Sequence, residues 1–271
     1  MALLTPDDLK NIKEALEIND RNIQKLTGKN LKELCSEIYD TKPNNEKVGI
    51  VPITAGGGVI GSFSESLLYT TTHFGMGGFI TEKTDVAGYY EAVLNGAEII
   101  LMADDHTYMA HNLLNGKISH NQISTGIVYS EILVKTKDDF FKDCETEELK
   151  DVLAIGIGKV GTPAIKNLIK YGYNVYVHDS NPDVVTKCVE EYGVHGYDPN
   201  SKKRFFKIFE ATPTPNTIKS EMLKAGVVVS TPGIPCAIEK KLIKKYNVTA
   251  IQEPLGIGTM SMLYAVFDNK I

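Results

Sequence analysis

The segment between residues 152 and 179 carries a pattern that few folds can satisfy. The apolar run Val152–Ile155 leads into the turn 156–161, which reads Gly-Ile-Gly-Lys-Val-Gly, and a helical pattern follows through Leu168. A second apolar run, Asn174–Val177, comes next, and Asp179 stands just after it. The motif G-x-G-x-x-G alone is a weak signal. Its place between a strand and a helix, with an acid after the next strand, indicates a dinucleotide-binding βαβ unit.

Each residue of this pattern has a physical role in holding a dinucleotide. Gly156 permits the tight turn, Gly158 lets the backbone approach a pyrophosphate, and Gly161 lets the helix pack close to the strand. The unpaired N–H groups at the helix N-terminus favour the phosphates. Asp179 can accept from the ribose hydroxyls and would repel a 2′-phosphate, so the sequence predicts NAD rather than NADP. The alternative is a glycine-rich turn that holds no nucleotide.

Three further strands are predicted at 205–210, 227–230 and 248–252, and each leads into a loop that contains proline. Open α/β sheets bind ligands at the carboxyl ends of their strands, so these loops should face the cofactor. Their alternative role is that of rigid turns with no part in catalysis. The predicted cofactor-binding residues are Gly156, Gly158, Lys159, Val160, Gly161, Asp179, Ala211, Thr212, Pro213, Thr231 and Pro232.

The first half of the chain shows a second α/β pattern. Two amphipathic helices are predicted, one starting at Thr5 with Leu9, Ile12 and Leu16 on one face, and one across 31–38. Short β-rich runs at 48–53, 79–81 and 98–102 then alternate with helical segments, which predicts a small parallel sheet. The charged stretch Lys135–Lys150 predicts a linker. The sequence thus predicts an α/β protein with a helical and α/β substrate domain at 1–145 and a Rossmann-type domain at 146–271.

Composition narrows the class of protein. The formal net charge of −5 disfavours nucleic acid as a partner, and no apolar run reaches the ~18–20 residues of a membrane span. The four cysteines form no C-x-x-C pair, and the N-terminus shows no secretory signal, so we expect a cytoplasmic protein.

A homodimer is the base-rate expectation. The cluster Asp104, Asp105, His106 and His111 has poor spacing for a metal, and none is predicted.

The residues available for chemistry favour an amine substrate. None of the predicted cofactor-facing loops contains His, but Glu253 follows the last strand and Asp104 follows the strand Ile99–Met102. Carboxylates at strand ends in both halves suit a cationic substrate in a cleft between them. An ammonium group must first lose a proton, because it has no lone pair to expel hydride. Glu253 and Asp104 are the candidate bases; the alternatives are a helix cap or ion pair for Glu253 and a turn for Asp104.

Longer strings of residues carry a resemblance to one family. These strings are Met1–Pro6, Lys47–Pro52, Ile60–Ser66, Gly88–Val93, Ile99–Asp104, Gly158–Gly161, Ser230–Ile238 and Glu253–Thr259. Together they resemble the pyrrolysine synthase family, the dehydrogenases that complete pyrrolysine biosynthesis, and the match runs from the first residues to about Val266.

The resemblance implies a substrate and a reaction. The substrate is lysine acylated on its ε-nitrogen by 3-methyl-D-ornithine, and the family oxidises the terminal amine of that ornithine with NAD. Ammonia is lost and a pyrroline ring closes. The resemblance also implies that the first helix closes over the substrate with Leu4, while Phe63 and Asp104 line the pocket. Ala55 stands where relatives place a hydroxyl, and Thr54 or Ser62 could replace it.

Two other functions stay open on the residues alone. One is a different NAD-dependent dehydrogenase of this architecture, for a keto or hydroxy acid. The absence of His from the cofactor-facing loops disfavours it. The other is a redox sensor that binds NAD without catalysis and needs a partner surface that sequence does not reveal.

Overall fold

Strands and helices alternate through most of the chain. The structure is a computed structural model and describes residues 9, 11–43, 45–55, 62–141 and 144–268. Its helices are α1 (Ile12–Thr27), α2 (Leu31–Tyr39), α3 (Phe63–His73), α4 (Asp85–Leu94), α5 (Asn121–Lys135), α6 (Gly161–Lys170), α7 (Pro182–Tyr192), α8 (Lys240–Tyr246) and α9 (Gly256–Ala265). Its strands are β1 (Lys47–Val51), β2 (Gly77–Ile80), β3 (Ile99–Ala103), β4 (Tyr108–Asn112), β5 (Ile118–His120), β6 (Asp151–Ile155), β7 (Asn174–His178), β8 (His195–Gly196), β9 (Phe205–Glu210), β10 (Leu223–Ser230) and β11 (Thr249–Ile251).

The described residues form two compact units. The N-terminal unit holds the described residues of 9–18, 29–125 and 254–268, and the Rossmann unit holds those of 19–28 and 126–253. The boundaries of these units differ from the domain boundary between residues 145 and 146 that the charged linker predicts. That boundary stays a prediction. The predicted helix start at Thr5 lies outside the described residues. The apolar face predicted to follow it is buried at Leu9, Ile12 and Leu16.

The sheet of the N-terminal unit is mixed. Its strand order among the described residues is β2-β1-β3-β4-β5, and β2, β1 and β3 are parallel, as predicted. Strands β4 and β5 add to β3 in antiparallel fashion, which the sequence pattern did not indicate. The reason is that β4 reads Tyr-Met-Ala-His-Asn, without a clear alternation of apolar and polar residues. In this sheet the carboxyl ends of β1 and β3 meet at one edge, since Val51 pairs with Met102.

The last helix completes the core of the N-terminal unit. Every residue of α9 from Gly256 to Tyr264 is buried, so this helix is enclosed on all sides. It packs on α2 and α3, and the Tyr39 hydroxyl lies 2.7 Å from Ser261 Oγ. The end of the chain therefore belongs structurally with its beginning.

The sheet of the Rossmann unit is parallel throughout its described strands. The order is β11-β10-β9-β6-β7-β8. Strands β7 and β8 are added on one side of β6, whereas β9, β10 and β11 are added on the other. The boundary between β6 and β9 is therefore the switch point at which such sheets bind ligands. All carboxyl ends lie along one edge, so the turns after β6, β7, β9, β10 and β11 share it.

A lysine lies in the core of the Rossmann unit. Lys207, in the middle of β9, is only 1% exposed. Its ammonium nitrogen is 2.8 Å from the Tyr173 hydroxyl and 5.5 Å from the centre of the Phe141 ring. Burial lowers the pKa of Lys207 to about 8, because the low-dielectric interior disfavours the charged form.

We expect Lys207→Met to stabilise the protein at neutral pH. The folded pKa lies below the unfolded value of 10.5, so the stability penalty is full below pH ~8 and vanishes above pH ~10.5. The gain at pH 7 should reach up to about 3 kcal/mol and shrink as the pH rises through this window. Urea unfolding at pH 7 and pH 10 measures it, with the exposed Lys187→Met as control. An equal gain in the free energy of unfolding at both pH values would contradict a lowered pKa for Lys207.

Candidate active site

The turn after β6 has no room for side chains at two of its glycines. A Cβ on Gly161 would lie 1.8 Å from the carbonyl oxygen of Gly156, and a Cβ on Gly156 would lie 2.9 Å from that of Ala211. Gly156 also has φ +89°, a left-handed conformation that favours glycine. At Gly158, by contrast, a Cβ would meet no atom of the described residues within 4 Å. The space over Gly158 therefore fits a phosphate group, with the N-terminus of α6 directly behind it.

Lys159 and Val160 connect this turn to α6. The carbonyl oxygen of Val160 would lie 2.3 Å from a Cβ on Gly126, so α5 packs closely against the start of α6. The turn is thus fixed from the side of α5 as well as by β6.

Asp179 lies at the end of β7, beside the same turn. Its Oδ2 accepts from the Ile157 N–H at 2.8 Å and its Oδ1 from the Asn181 N–H at 3.0 Å. Each carboxylate oxygen has further lone pairs that could accept from a ribose hydroxyl. The position and charge of Asp179 fit the role that the sequence predicted for it.

The loops after β9 and β10 meet at a residue that sequence reasoning missed. Glu210, the last residue of β9, is fully buried, and its Oε1 accepts from the N–H and hydroxyl of Thr212 and from the hydroxyl of Thr217. Its Oε2 accepts from the hydroxyl of Thr231 at 3.0 Å. Burial raises the pKa of Glu210, while the threonine hydrogen bonds oppose this rise. The available signal was a carboxylate at the end of a strand whose other residues, apart from Lys207, are apolar.

This arrangement refines the predictions for the two loops. Thr212 is half-buried and Pro213 is exposed, so both can reach a ligand. Thr231 is fully buried and donates its hydroxyl hydrogen to Glu210. Its side chain therefore anchors the loop and is not exposed at the surface. Pro232, directly after it, is half-buried.

Glu253 follows β11 and is only 2% exposed. The hydroxyl of Tyr129 on α5 donates to the Glu253 carbonyl at 2.8 Å and accepts from the Glu253 N–H at 3.2 Å. Burial raises the pKa of Tyr129 well above its ordinary value, so the phenol stays protonated and can donate. The preceding residue, Gln252, exchanges two backbone hydrogen bonds with the Asn19 side chain. The backbone that carries Glu253 is therefore held on both sides.

In the N-terminal unit, Asp104 caps the turn between β3 and β4. Its Oδ1 accepts from the N–H groups of His106 at 2.8 Å and Thr107 at 2.6 Å. These two backbone hydrogen bonds lower the pKa of Asp104, because they favour the ionised form. Such a carboxylate is a poor proton acceptor and a good counter-ion. Of the two roles that the sequence left open for Asp104, base or turn residue, these hydrogen bonds favour the turn residue.

The other predicted substrate residues lie along the same edge of this unit. Thr54 donates its N–H at 2.9 Å and its hydroxyl at 2.7 Å to Asp85, a residue that sequence reasoning missed. Phe63 begins α3 and meets the Tyr108 ring edge-on, 6.0 Å between centres. Ser62 precedes it with φ +70°. Leu4 and the glycines at 56–58 lie outside the described residues.

An apolar hollow opens at this edge. Its volume is about 450 Å³, and it is lined by Ile53, Asp85, Val86, Tyr89 and Met102. No group of three or more His, Cys, Asp or Glu side chains is arranged to hold a metal ion within the part of the chain that the structure describes. Nor does any described helix combine the length and apolar character needed to cross a bilayer.

Comparison with solved structures identifies the architecture. Shikimate 5-dehydrogenase from Thermus thermophilus, in complex with NADP(H) and shikimate, is similar over 83% of this chain and 94% of its own, with a TM-score of 0.52 and 11% identity. Residues 146–254 match the alanine dehydrogenase/PNT C-terminal domain. The α/β fold with a Rossmann-type dinucleotide-binding domain is thus confirmed.

Comparison of sequences identifies the family. Residues 8–119 match the N-terminal domain of the pyrrolysine biosynthesis protein PylD. The pyrrolysine synthase of Methanosarcina acetivorans is 50% identical over 266 residues, which cover 98% of this chain and all of the relative. That of Methanosarcina barkeri is also 50% identical, with 98% of each chain covered. The chain is an oxidoreductase, the resemblance read from its sequence is confirmed, and it belongs to the pyrrolysine synthase family.

Proposed function

We propose that the protein is a pyrrolysine synthase that uses NAD. It oxidises the terminal primary amine of L-lysine-Nε-3-methyl-D-ornithine, and loss of ammonia and ring closure give the pyrroline ring of pyrrolysine. The observation that carries this proposal is the 50% identity to two pyrrolysine synthases over nearly the whole chain. At that coverage, both the substrate-binding and the cofactor-binding regions are shared with these relatives.

The site residues support an amine oxidation. An alkylammonium of pKa ~10.4 is neutral in only about one molecule in two thousand at pH 7, so a base is required. Glu253 is the proposed base, because its carboxyl group follows β11 at the carboxyl edge of the sheet and is shielded from water. Asp104 is the proposed counter-charge for an ammonium group of the substrate, since its pKa is held low. The apolar hollow beside Tyr89 suits an aliphatic part of the substrate.

The proposed reaction balances as follows. Glu253 takes a proton from the ammonium, and the C–H bond at the carbon bearing the amine then breaks as a C=N bond forms. When bound, NAD accepts the hydride. The α-amine of the ornithine attacks the iminium carbon, the original nitrogen leaves as ammonia, and a ring C=N bond remains. The pyrophosphate would be held by the turn after β6, through Gly156, Gly158, Lys159, Val160 and Gly161.

The remaining cofactor contacts are proposed for the loops that share this edge of the Rossmann sheet. Asp179 would hold the ribose on one side of the switch point. On the other side, the proposed cofactor contacts lie in the loops after β9 and β10: Ala211, Thr212, Pro213, Thr231 and Pro232. Thr54, Ser62, Phe63 and Leu4 are the proposed substrate contacts beside Asp104.

The first test is to mix the purified protein with NAD and the methylornithyl-lysine amide. We expect one NADH per substrate molecule and a product lighter by one ammonia and two hydrogens. Absorbance of NADH and product mass measure both. NAD binding without any NADH would favour a non-catalytic sensor, and oxidation of simple hydroxy acids instead would favour another dehydrogenase.

The cofactor preference rests on Asp179. Asp179→Ser should weaken NAD binding by about tenfold or more, since hydrogen bonds to a charged acceptor are lost. It should also reduce the preference for NAD over NADP, because the repulsion of a 2′-phosphate is removed. Calorimetry with both cofactors measures the two effects. Asp183→Ser, an equal change of charge on the exposed start of α7, is the control. An unaltered preference would remove Asp179 from cofactor selection.

The proposed base is tested by an uncharged isostere. Glu253→Gln should fold and bind NAD normally but lose turnover by at least ~10²-fold, because the amide cannot take the proton. Glu239→Gln, on the surface beside Lys241, serves as the matched control in the same NADH assay. Near-normal turnover of Glu253→Gln would exclude it as the base.

A further inference from the structure

Glu210 is a buried carboxyl group whose surroundings suit an anion. All the groups that contact its two oxygens donate hydrogen: the Thr212 N–H and the hydroxyls of Thr212, Thr217 and Thr231. An ionised carboxylate only accepts hydrogen bonds, and these four groups can supply a donor to each of its oxygens. Four donors spread over both oxygens leave the side chain little freedom to rotate.

Among the residues that the structure describes, no cationic side chain forms an ion pair with Glu210. The ion pairs found among the described residues involve Lys29, Lys203, Lys224 and Lys241, and none includes Glu210. A buried charge without an opposite charge is costly, and burial accordingly raises the pKa of Glu210. A bound cation would relieve this cost.

The position of Glu210 indicates which cation could do so. A Cβ on Gly156 would lie 2.8 Å from Thr212 Cγ2, and the Ala211 N–H donates to Ile155 O at 2.9 Å. The loop that Glu210 holds therefore touches the phosphate-binding turn. Asp179 lies across the switch point, where it would hold the adenosine ribose. The nicotinamide, at the other end of a bound dinucleotide, would then lie on the side of β9 and β10.

We infer that Glu210 is a specificity-determining residue whose carboxylate stabilises the positively charged ring of the oxidised cofactor and so favours NAD⁺ over NADH. This inference rests on the proposed function, because it takes a nicotinamide dinucleotide as the ligand. The two cofactors share the adenosine, both riboses and the pyrophosphate, and differ in the charge of the ring. An anion in a low-dielectric site distinguishes them by that charge.

The preference would serve an enzyme that works in the oxidative direction. Each turnover converts the cationic ring to a neutral one, which removes its attraction to Glu210. The reduced cofactor is then held more weakly than the oxidised one, and release of product cofactor is favoured.

The test compares dissociation constants for NAD⁺, NADH and ADP-ribose, measured by calorimetry on the full-length protein. Wild type should bind NAD⁺ more tightly than NADH. In Glu210→Gln, the dissociation constant for NADH divided by that for NAD⁺ should fall by about fivefold or more. The affinity for ADP-ribose, which lacks the nicotinamide, should stay unchanged. The glutamine oxygen can keep the hydrogen bonds from Thr212 and Thr217, so the loops retain their anchor.

Thr217→Val is the matched control, since it removes one of the four hydrogen bonds to Glu210 and leaves the carboxyl group and its other three donors in place. It should change NAD⁺ and NADH affinities by the same factor. Equal weakening of both cofactors in Glu210→Gln would overturn the inference and leave Glu210 as a loop anchor. Tighter binding of NADH than NAD⁺ by wild type would overturn it without any variant. If wild type binds neither cofactor nor ADP-ribose, the proposed function itself fails.

Discussion

The close approach of backbone to backbone in the turn after β6 is the constraint on which the site depends. Because Gly161 has no side chain, α6 can begin almost in contact with the carbonyl of Gly156, and because Gly156 has none, the loop after β9 can lie against the turn. The helix N-terminus is thereby fixed at the carboxyl edge of the sheet. The residues from Asp179 to Glu210 along the rest of this edge lie beside this contact.

Three carboxylates, one in the N-terminal unit and two in the Rossmann unit, differ because their surroundings differ. Asp104 is exposed and accepts two backbone N–H bonds, which hold it ionised. Glu253 is buried at the end of a strand, and its backbone is fixed by the hydroxyl of Tyr129. Glu210 is buried too, but threonine hydroxyls surround it. One side-chain chemistry thus gives a proposed counter-ion, a proposed base and a proposed electrostatic selector, according to hydration and hydrogen bonding.

Much of this could be predicted from local sequence. The glycine turn, the strands of the Rossmann unit and the parallel strands of the N-terminal unit follow from patterns that span a few residues, and the structure has them close to the predicted positions. The clustering around Glu210 could not be predicted, because Thr217 and Thr231 reach it only after the sheet has aligned β9 with β10. The same holds for Tyr129, which meets Glu253 from more than a hundred residues away along the chain. Long-range pairings of this kind leave no periodic signal in the sequence.

The location of α9 bears on the order in which the protein can form during synthesis. The N-terminal unit needs this helix, which is enclosed on all sides and lies against α2, yet α9 is synthesised only after the whole of residues 126–253. The Rossmann unit draws on residues 19–28 and 126–253 and is complete before α9 emerges. Residues 29–125 are therefore synthesised before the Rossmann unit but can complete their core only after it, and their apolar surface stays exposed until α9 emerges.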